Sequence, residues 1–292
     1  VSAAHSIASM LAPTGVRCGK WIMGPAAIQC GSGLAREAGT PVFQVYATMH
    51  SPCAIIPVYN HEAAITTVVD ALIARNLPCI LVDDASSPAC ARVLDQLARR
   101  DMVYLIRLAA NQGKGGAVMT GLREASRLGF SHALQVDADG QHDLQDVERF
   151  IQQSRAHPQA VICGYPQFDA SVPKGRLYAR YLTHVMVWIN TLSLQIRDSM
   201  CGFRVYPLPP VLAVIESARI GKRMDFDSDI LVRLAWRNQP MQWLQTRVRY
   251  PLDGVSHFRL FHDNVLISSM HTRLFFGMLL RAPAILWRRW RA

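Results

Sequence analysis

Asp137 and Asp139, separated by one alanine and followed by Gly140-Gln141-His142, form the sharpest chemical signal in the sequence. Two carboxylates two positions apart, just past the apolar run Ala133-Leu-Gln-Val136, can turn toward one hard cation and give it oxygen ligands. Mg²⁺ or Mn²⁺ suits such a site, because these ions retain waters and share their coordination with substrate phosphates. Gln141 adds a neutral oxygen for the ion or a hydrogen bond for a coordinated phosphate. The same residues also read as a plain turn, since Asp-Gly is a common turn dipeptide and acids often cap the next helix.

Other polar motifs share this double character. In Asn111-Gln-Gly-Lys-Gly-Gly116 the glycines let backbone N–H groups approach an anion at a helix N-terminus. Lys114 is the only lysine between residues 21 and 173, although a flexible turn with a solvated lysine fits equally, and the Walker A pattern is not met. Asp83-Asp84 can accept hydrogen bonds from a nucleoside's base and ribose, while Ser86-Ser87-Pro88 beyond them suits a helix start. Pro57-Val-Tyr59-Asn60 closes a further apolar run. In Asp198-Ser-Met-Cys-Gly-Phe-Arg204, Gly202 permits close backbone approach and Arg204 can clamp a phosphate or pair with an acid. Asp225, Asp227 and Asp229 alternate, so they cannot share one helical face; one is expected to cap the helix that follows.

These motifs need a scaffold, and the apolar pattern supplies one. Short runs at 53–58, 79–82, 102–106, 133–136 and 160–163 alternate with helical stretches, which predicts an α/β fold with a parallel sheet covered on both faces. Ligands bind such sheets at the carboxyl ends of the strands. The polar motifs fall at four successive strand ends and should converge on one rim.

Charge narrows the partners. Thirty-one Lys and Arg against 21 Asp and Glu give a net +10, which favours phosphorylated substrates, nucleic acid or a membrane surface. The excess gathers at an apolar terminus rather than in a nucleic-acid-binding motif, so no nucleic acid is expected. After Asp263 no acid follows, while Arg273, Arg281, Arg288, Arg289 and Arg291 are interleaved with Leu, Phe and Trp. Residues 274–287 as a helix reach roughly 21 Å, short of a hydrocarbon core of about 30 Å. Residues 264–292 therefore read as a basic amphipathic tail at a membrane interface, or as a terminal helix packed on the domain. Seven cysteines without a CxxC pair read as reduced thiols. Residues 1–48 lack periodicity and are expected to be a poorly structured extension, with Met49 as the natural start and 49–263 as the main domain.

Taken together, the residues resemble the family 2 glycosyltransferases, in the branch of dolichyl- and polyprenyl-phosphate hexosyltransferases. The matching run spans 53–263: PVYN with Glu62 shortly after, DDAS (83–86), N-x-GKGGA (111–117), DADGQH (137–142), CGFR (201–204) and F-D-x-[DE] (226–229), in the family's order. Cys201 stands where Ser is usual, and His61 precedes the expected Glu. The resemblance implies a GT-A (Rossmann-like) fold, a nucleotide-diphosphate sugar, Mg²⁺ or Mn²⁺, and inversion at the anomeric carbon. It assigns Pro57, Tyr59, Asn60, Glu62, Asp83 and Asp84 to the nucleoside and its surroundings, and Lys114 to the nucleotide pocket. Asp137, Asp139 and Gln141 would hold metal and diphosphate, and Arg204 a phosphate.

An acceptor hydroxyl needs a base, for which Asp198 and Asp229 are candidates with Asp227 behind them; an acceptor phosphate is already ionised. The expected acceptor is a polyprenyl phosphate or a hydroxylated lipid, reached from the cytoplasm at the inner face of the plasma membrane. The alternatives are a non-catalytic nucleotide-sugar binder, which need not keep both aspartates, and a sugar nucleotidyltransferase. The latter needs a Gly- and Arg-rich loop after the first strand, where Pro57–Glu62 offers none.

Overall fold

Strand β1 (Pro52–Val58) buries side chains on both its faces, and this sets the architecture. Cys53 and Ile55 join one apolar cluster while Ala54, Ile56 and Val58 join another, so the strand must lie inside a sheet with helices above and below. The computed structural model describes residues 50–167, 174–248 and 260–291. The expected extension 1–48 and Met49 lie outside the described residues.

Six further strands follow: β2 (Cys79–Asp83), β3 (Val103–Arg107), β4 (His132–Gln135), β5 (Val161–Gln167), β6 (Arg204–Pro207) and β7 (Met241–Arg247). Their order is β3-β2-β1-β4-β6-β5-β7. All run parallel except β6, which is antiparallel to both β4 and β5. The mostly parallel sheet expected from the sequence is therefore present, with one reversed strand that the apolar pattern did not mark.

Helices α1 (Ile65–Ile73), α2 (Pro88–Leu97) and α4 (Asp146–Ala156) supply the apolar face against one side. On the other side lie α3 (Lys114–Arg127), α6 (Leu208–Ser217), α7 (Phe226–Trp236) and α8 (Leu260–Arg291), with Val187 of α5 (Lys174–Thr191). Ser87 caps α2 by accepting from the Cys90 N–H, with Pro88 in the first turn, as its Ser-Pro start foretold. Asp225 occupies the N-cap of α7 but makes no side-chain cap bond. Its carboxylate instead accepts from the Arg223 N–H, so the expected capping role is not met.

The C-terminal segment is one helix of 32 residues, longer than the tail read from sequence. Met270, Leu274, Met278 and Ile285 enter the core, and Trp236 anchors the helix from α7. The Arg281 guanidinium lies 4.7 Å from the Trp236 ring centre and Arg288 Nη2 donates to the Trp236 carbonyl. Arg289 donates to the carbonyls of Thr191 and Leu192. Arg273 also pairs with Asp229 of α7 at 3.5 Å, so four of the five arginines assigned to a membrane face are spent on holding α8 to the domain. Phe276, Leu280, Trp287 and Trp290 remain exposed. No described helix is long and apolar enough to cross a membrane.

Candidate active site at the strand rim

Each loop leaving β1, β2, β3 and β4 contains a residue with positive φ: Asn60, Ala85, Gly113 and Gly140. Such residues turn the chain sharply, and here they bring the four polar motifs to the same end of the sheet. The loops are then tied to one another. Asn60 Oδ1 accepts from the Ser87 N–H, and Ser86 Oγ accepts from the Asn60 N–H.

Asp83 and Asp84, expected at the nucleoside, help to build this rim through hydrogen bonds within the chain. Both are buried. Asp83 accepts from the Ser86 N–H and from Arg107 Nε at 2.8 Å. Asp84 takes the N–H groups of Gln112 and Gly113 at 2.6 and 2.8 Å. Next along, the Gly116 N–H goes to the Lys222 carbonyl. The anion cradle expected at the start of α3 therefore exists, but its anion is the chain's own Asp84.

Held this way, the first turn of α3 points Lys114 inward. Its ammonium lies 3.0 Å from Asp137 Oδ2 and 3.1 Å from Asp227 Oδ2. Burial opposes the charge on Lys114, but the two carboxylates together outweigh it and raise the pKa above the usual lysine value. For Asp137 burial likewise opposes ionisation, while Lys114 and His142 jointly hold the carboxyl well below the ordinary range. His142 Nε2 is 3.5 Å from Asp137 Oδ2, and its ring packs on Phe203 at 5.0 Å. Gly202 closes over the cluster, as its small size suggested: a Cβ there would lie 2.8 Å from Lys114 Nζ.

Asp137 keeps one buried oxygen, Oδ1, without any hydrogen-bond partner. A buried carboxylate oxygen left unpaired is costly, and a hard cation is the kind of ligand that would satisfy it. Asp139 is half-exposed beyond it, with Oδ1 accepting from the Gln141 N–H at 3.0 Å. These residues fit a divalent ion, with Asp137 and Asp139 as ligands. Among the described residues no group of three or more His, Cys, Asp or Glu converges as a metal cage. Remaining ligands must come from Gln141, water or a phosphate.

Arg204, expected at a phosphate, is fully buried, donating to the Asp227 and Ser199 carbonyls and to the Tyr206 hydroxyl, so it supports Asp227 from beneath. Asp229 is fully buried, paired with Arg233 at 2.5 Å and accepting from the Gly221 N–H. Asp198 is buried against Arg180 at 2.5 Å and His184 at 3.4 Å, and it accepts the N–H groups of Met200 and Cys201. Burial works against its ionisation, yet His184 and Arg180 together hold its pKa down to about 2. Both acids, the candidate bases, are thus engaged by cations and backbone N–H groups. Asp227 is nearly buried and shared between Lys114 and Arg204. Glu62 is exposed, and Pro57 and Tyr59 are half-buried at the end of β1.

Sequence reasoning missed His142 and the supports Gln135 and Tyr206. Tyr206 donates its hydroxyl hydrogen to Gln135 Oε1, and Gln135 Nε2 reaches Asp227 at 3.4 Å. The available signal was a glutamine in the middle of the apolar run Ala133–Val136.

The family model described as Glycosyl transferase family 2 matches residues 53–210. A UDP-N-acetylglucosamine–dolichyl-phosphate N-acetylglucosaminyltransferase of Methanococcus voltae is 27% identical over 200 residues, covering 61% of this chain and 77% of that protein. A dolichyl-phosphate beta-glucosyltransferase of Dictyostelium discoideum is 25% identical over 229 residues, covering 70% and 67% respectively. Among solved structures, glucosyl-3-phosphoglycerate synthase from Mycobacterium tuberculosis, in complex with Mn²⁺ and UDP-glucose, superposes with a TM-score of 0.57. At 13% identity over 80% of this chain and 79% of that one, the likeness speaks for a shared GT-A-like fold.

Proposed function

This chain belongs to glycosyl transferase family 2, and on that premise we propose that it moves a hexose, with inversion, from a nucleotide-diphosphate sugar to a polyprenyl phosphate at a membrane surface. The observation that carries the donor half is the unpartnered Asp137 Oδ1 beside half-exposed Asp139 on the strand rim. Asp137, Asp139 and Gln141 would hold Mg²⁺ or Mn²⁺. When bound there, the ion would supply charge neutralisation for the departing diphosphate. Lys114 sets the position of Asp137 from one side and His142 from the other.

Choice of acceptor follows from the acids. A hydroxyl acceptor needs a carboxylate to take its proton, but Asp198 and Asp229 are buried in ion pairs and Asp227 is tied to Lys114. A phosphate acceptor arrives ionised and needs no base. This supports polyprenyl phosphate over a hydroxylated lipid, in keeping with the dolichyl-phosphate transferases among the relatives. Exposed Phe276, Leu280, Trp287 and Trp290 on α8 support contact with the membrane in which such an acceptor resides.

The test is transfer of label from a panel of radiolabelled nucleotide sugars to polyprenyl phosphate or to the free polyprenol. Label should enter the lipid phase only with the phosphate and a divalent ion. Asp139→Ala should lower transfer by about 10³-fold or more, as expected for loss of a metal ligand, while unfolding stays within about 0.5 kcal/mol of wild type. Retained turnover in the folded variant, or preference for the free alcohol, would defeat the proposal.

A further inference from the structure

We propose that Lys114 is an internal counter-cation that keeps Asp137 from taking a divalent ion alone, so that metal enters together with the nucleoside diphosphate. This rests on the reading of Asp137 and Asp139 as metal ligands. The ammonium is fixed between Asp137 Oδ2 and Asp227 Oδ2 at 3.0 and 3.1 Å. Two features hold it there. The first turn of α3 is locked by Asp84 and by the Lys222 carbonyl, and Gly202 leaves no more than glycine's space on the facing side.

A dication approaching Asp137 Oδ1 thus meets a fixed positive charge on the other oxygen of the same carboxylate. In a half-buried site this repulsion is weakly screened by salt. Asp227 offsets part of that charge from the far side of the ammonium, but no larger metal-binding group converges among the described residues to draw the ion in. A diphosphate would bring both oxygen ligands and negative charge, which cancels the effect of Lys114. Metal and nucleotide should therefore bind with positive coupling, and Lys114 should be its source.

Titration of the full chain with Mn²⁺, with free ion read by electron paramagnetic resonance, tests this with and without UDP or GDP. In wild type either nucleotide should strengthen Mn²⁺ binding about tenfold or more. Lys114→Met should raise nucleotide-free affinity about tenfold and shrink the nucleotide effect. Because that change leaves two acids facing each other, the charge-neutral swap Lys114→Met/Asp227→Asn is tested beside it and should show a smaller rise in the same direction, since it also removes the Asp227 charge. Asp139→Asn, added to either background, should remove Mn²⁺ binding. Unchanged affinity in both Lys114 variants, with Asp139→Asn still abolishing it, overturns the role of Lys114 and spares the metal site. Binding that survives Asp139→Asn overturns the metal site itself. Tight Mn²⁺ binding by wild type without nucleotide overturns the inference directly.

Discussion

Replacing Gly202 by alanine tests whether the Lys114–Asp137 pair must sit where it does. The added Cβ would lie 2.8 Å from both Lys114 Nζ and Gln135 Nε2, and 3.1 Å from Asp137 Oδ2. Comfortable contact begins near 3.5 Å, so the ammonium and amide must withdraw by roughly 0.7 Å. All three are ends of side chains, so the cost in stability should be only about 1 kcal/mol, the low end for overpacking. Turnover is less tolerant: a displacement approaching 1 Å can cost on the order of 10²-fold. Gly164→Ala is the contrasting control. Its Cβ would meet the Phe203 carbonyl at 2.9 Å, backbone just ahead of β6 that already accepts from the Gly164 N–H and cannot easily retreat, so a loss of about 2–3 kcal/mol is expected. Urea unfolding and kcat/KM of the folded protein separate the two. A Gly202→Ala enzyme with wild-type kcat/KM, or one as unstable as Gly164→Ala, would refute the reasoning.

Two further outcomes are expected. Asn190 Nδ2 donates to His271 Nδ1 at 3.1 Å, and burial lowers the His271 pKa from 6.5 to about 4. The neutral ring is therefore the stable form; its contribution is complete above the unfolded pKa and is lost as pH falls from 6.5 toward 4, amounting to about 2 kcal/mol by roughly pH 5. Urea unfolding at neutral pH and near pH 5 should show this extra loss in wild type but not in His271→Gln; equal slopes would exclude it. On the membrane side, Leu280→Glu and Trp290→Ser alter exposed positions of α8. Together they should cut co-sedimentation with anionic vesicles about tenfold, and equal partitioning would remove α8 from the membrane proposal.

The strand runs and helix stretches from residue 53 to 163 were legible because both faces of the central strands are covered, which leaves β1 and β2 as nearly continuous apolar runs. Strand β6 was hidden: Arg204-Val-Tyr-Pro207 carries an arginine and a proline, and its apolar identity depends on burying Arg204 beneath Asp227. Strand β7 (Met-Gln-Trp-Leu-Gln-Thr-Arg) is a half-exposed edge strand and reads as mixed. At the rim, sequence marked the loops that the fold brings together but could not say which polar groups the loops keep for themselves. That two backbone N–H groups converge on Asp84 is invisible in a string of letters. The burial of Arg204 and Asp229 was hidden for the same reason, since a charged side chain at a strand or helix start carries no mark of being buried in an ion pair.

The reversed direction of β6 also bears on how the protein is made. Gln135 pairs with Arg204 and His132 with Pro207, so one flank of β4 waits for a partner encoded some seventy residues later. On a translating ribosome the first four strands can assemble early, but they would present an unsatisfied edge that invites pairing with a neighbouring nascent chain. Until β6 slots in, the floor under Asp227 is missing too, so no partly synthesised chain would carry a finished catalytic rim.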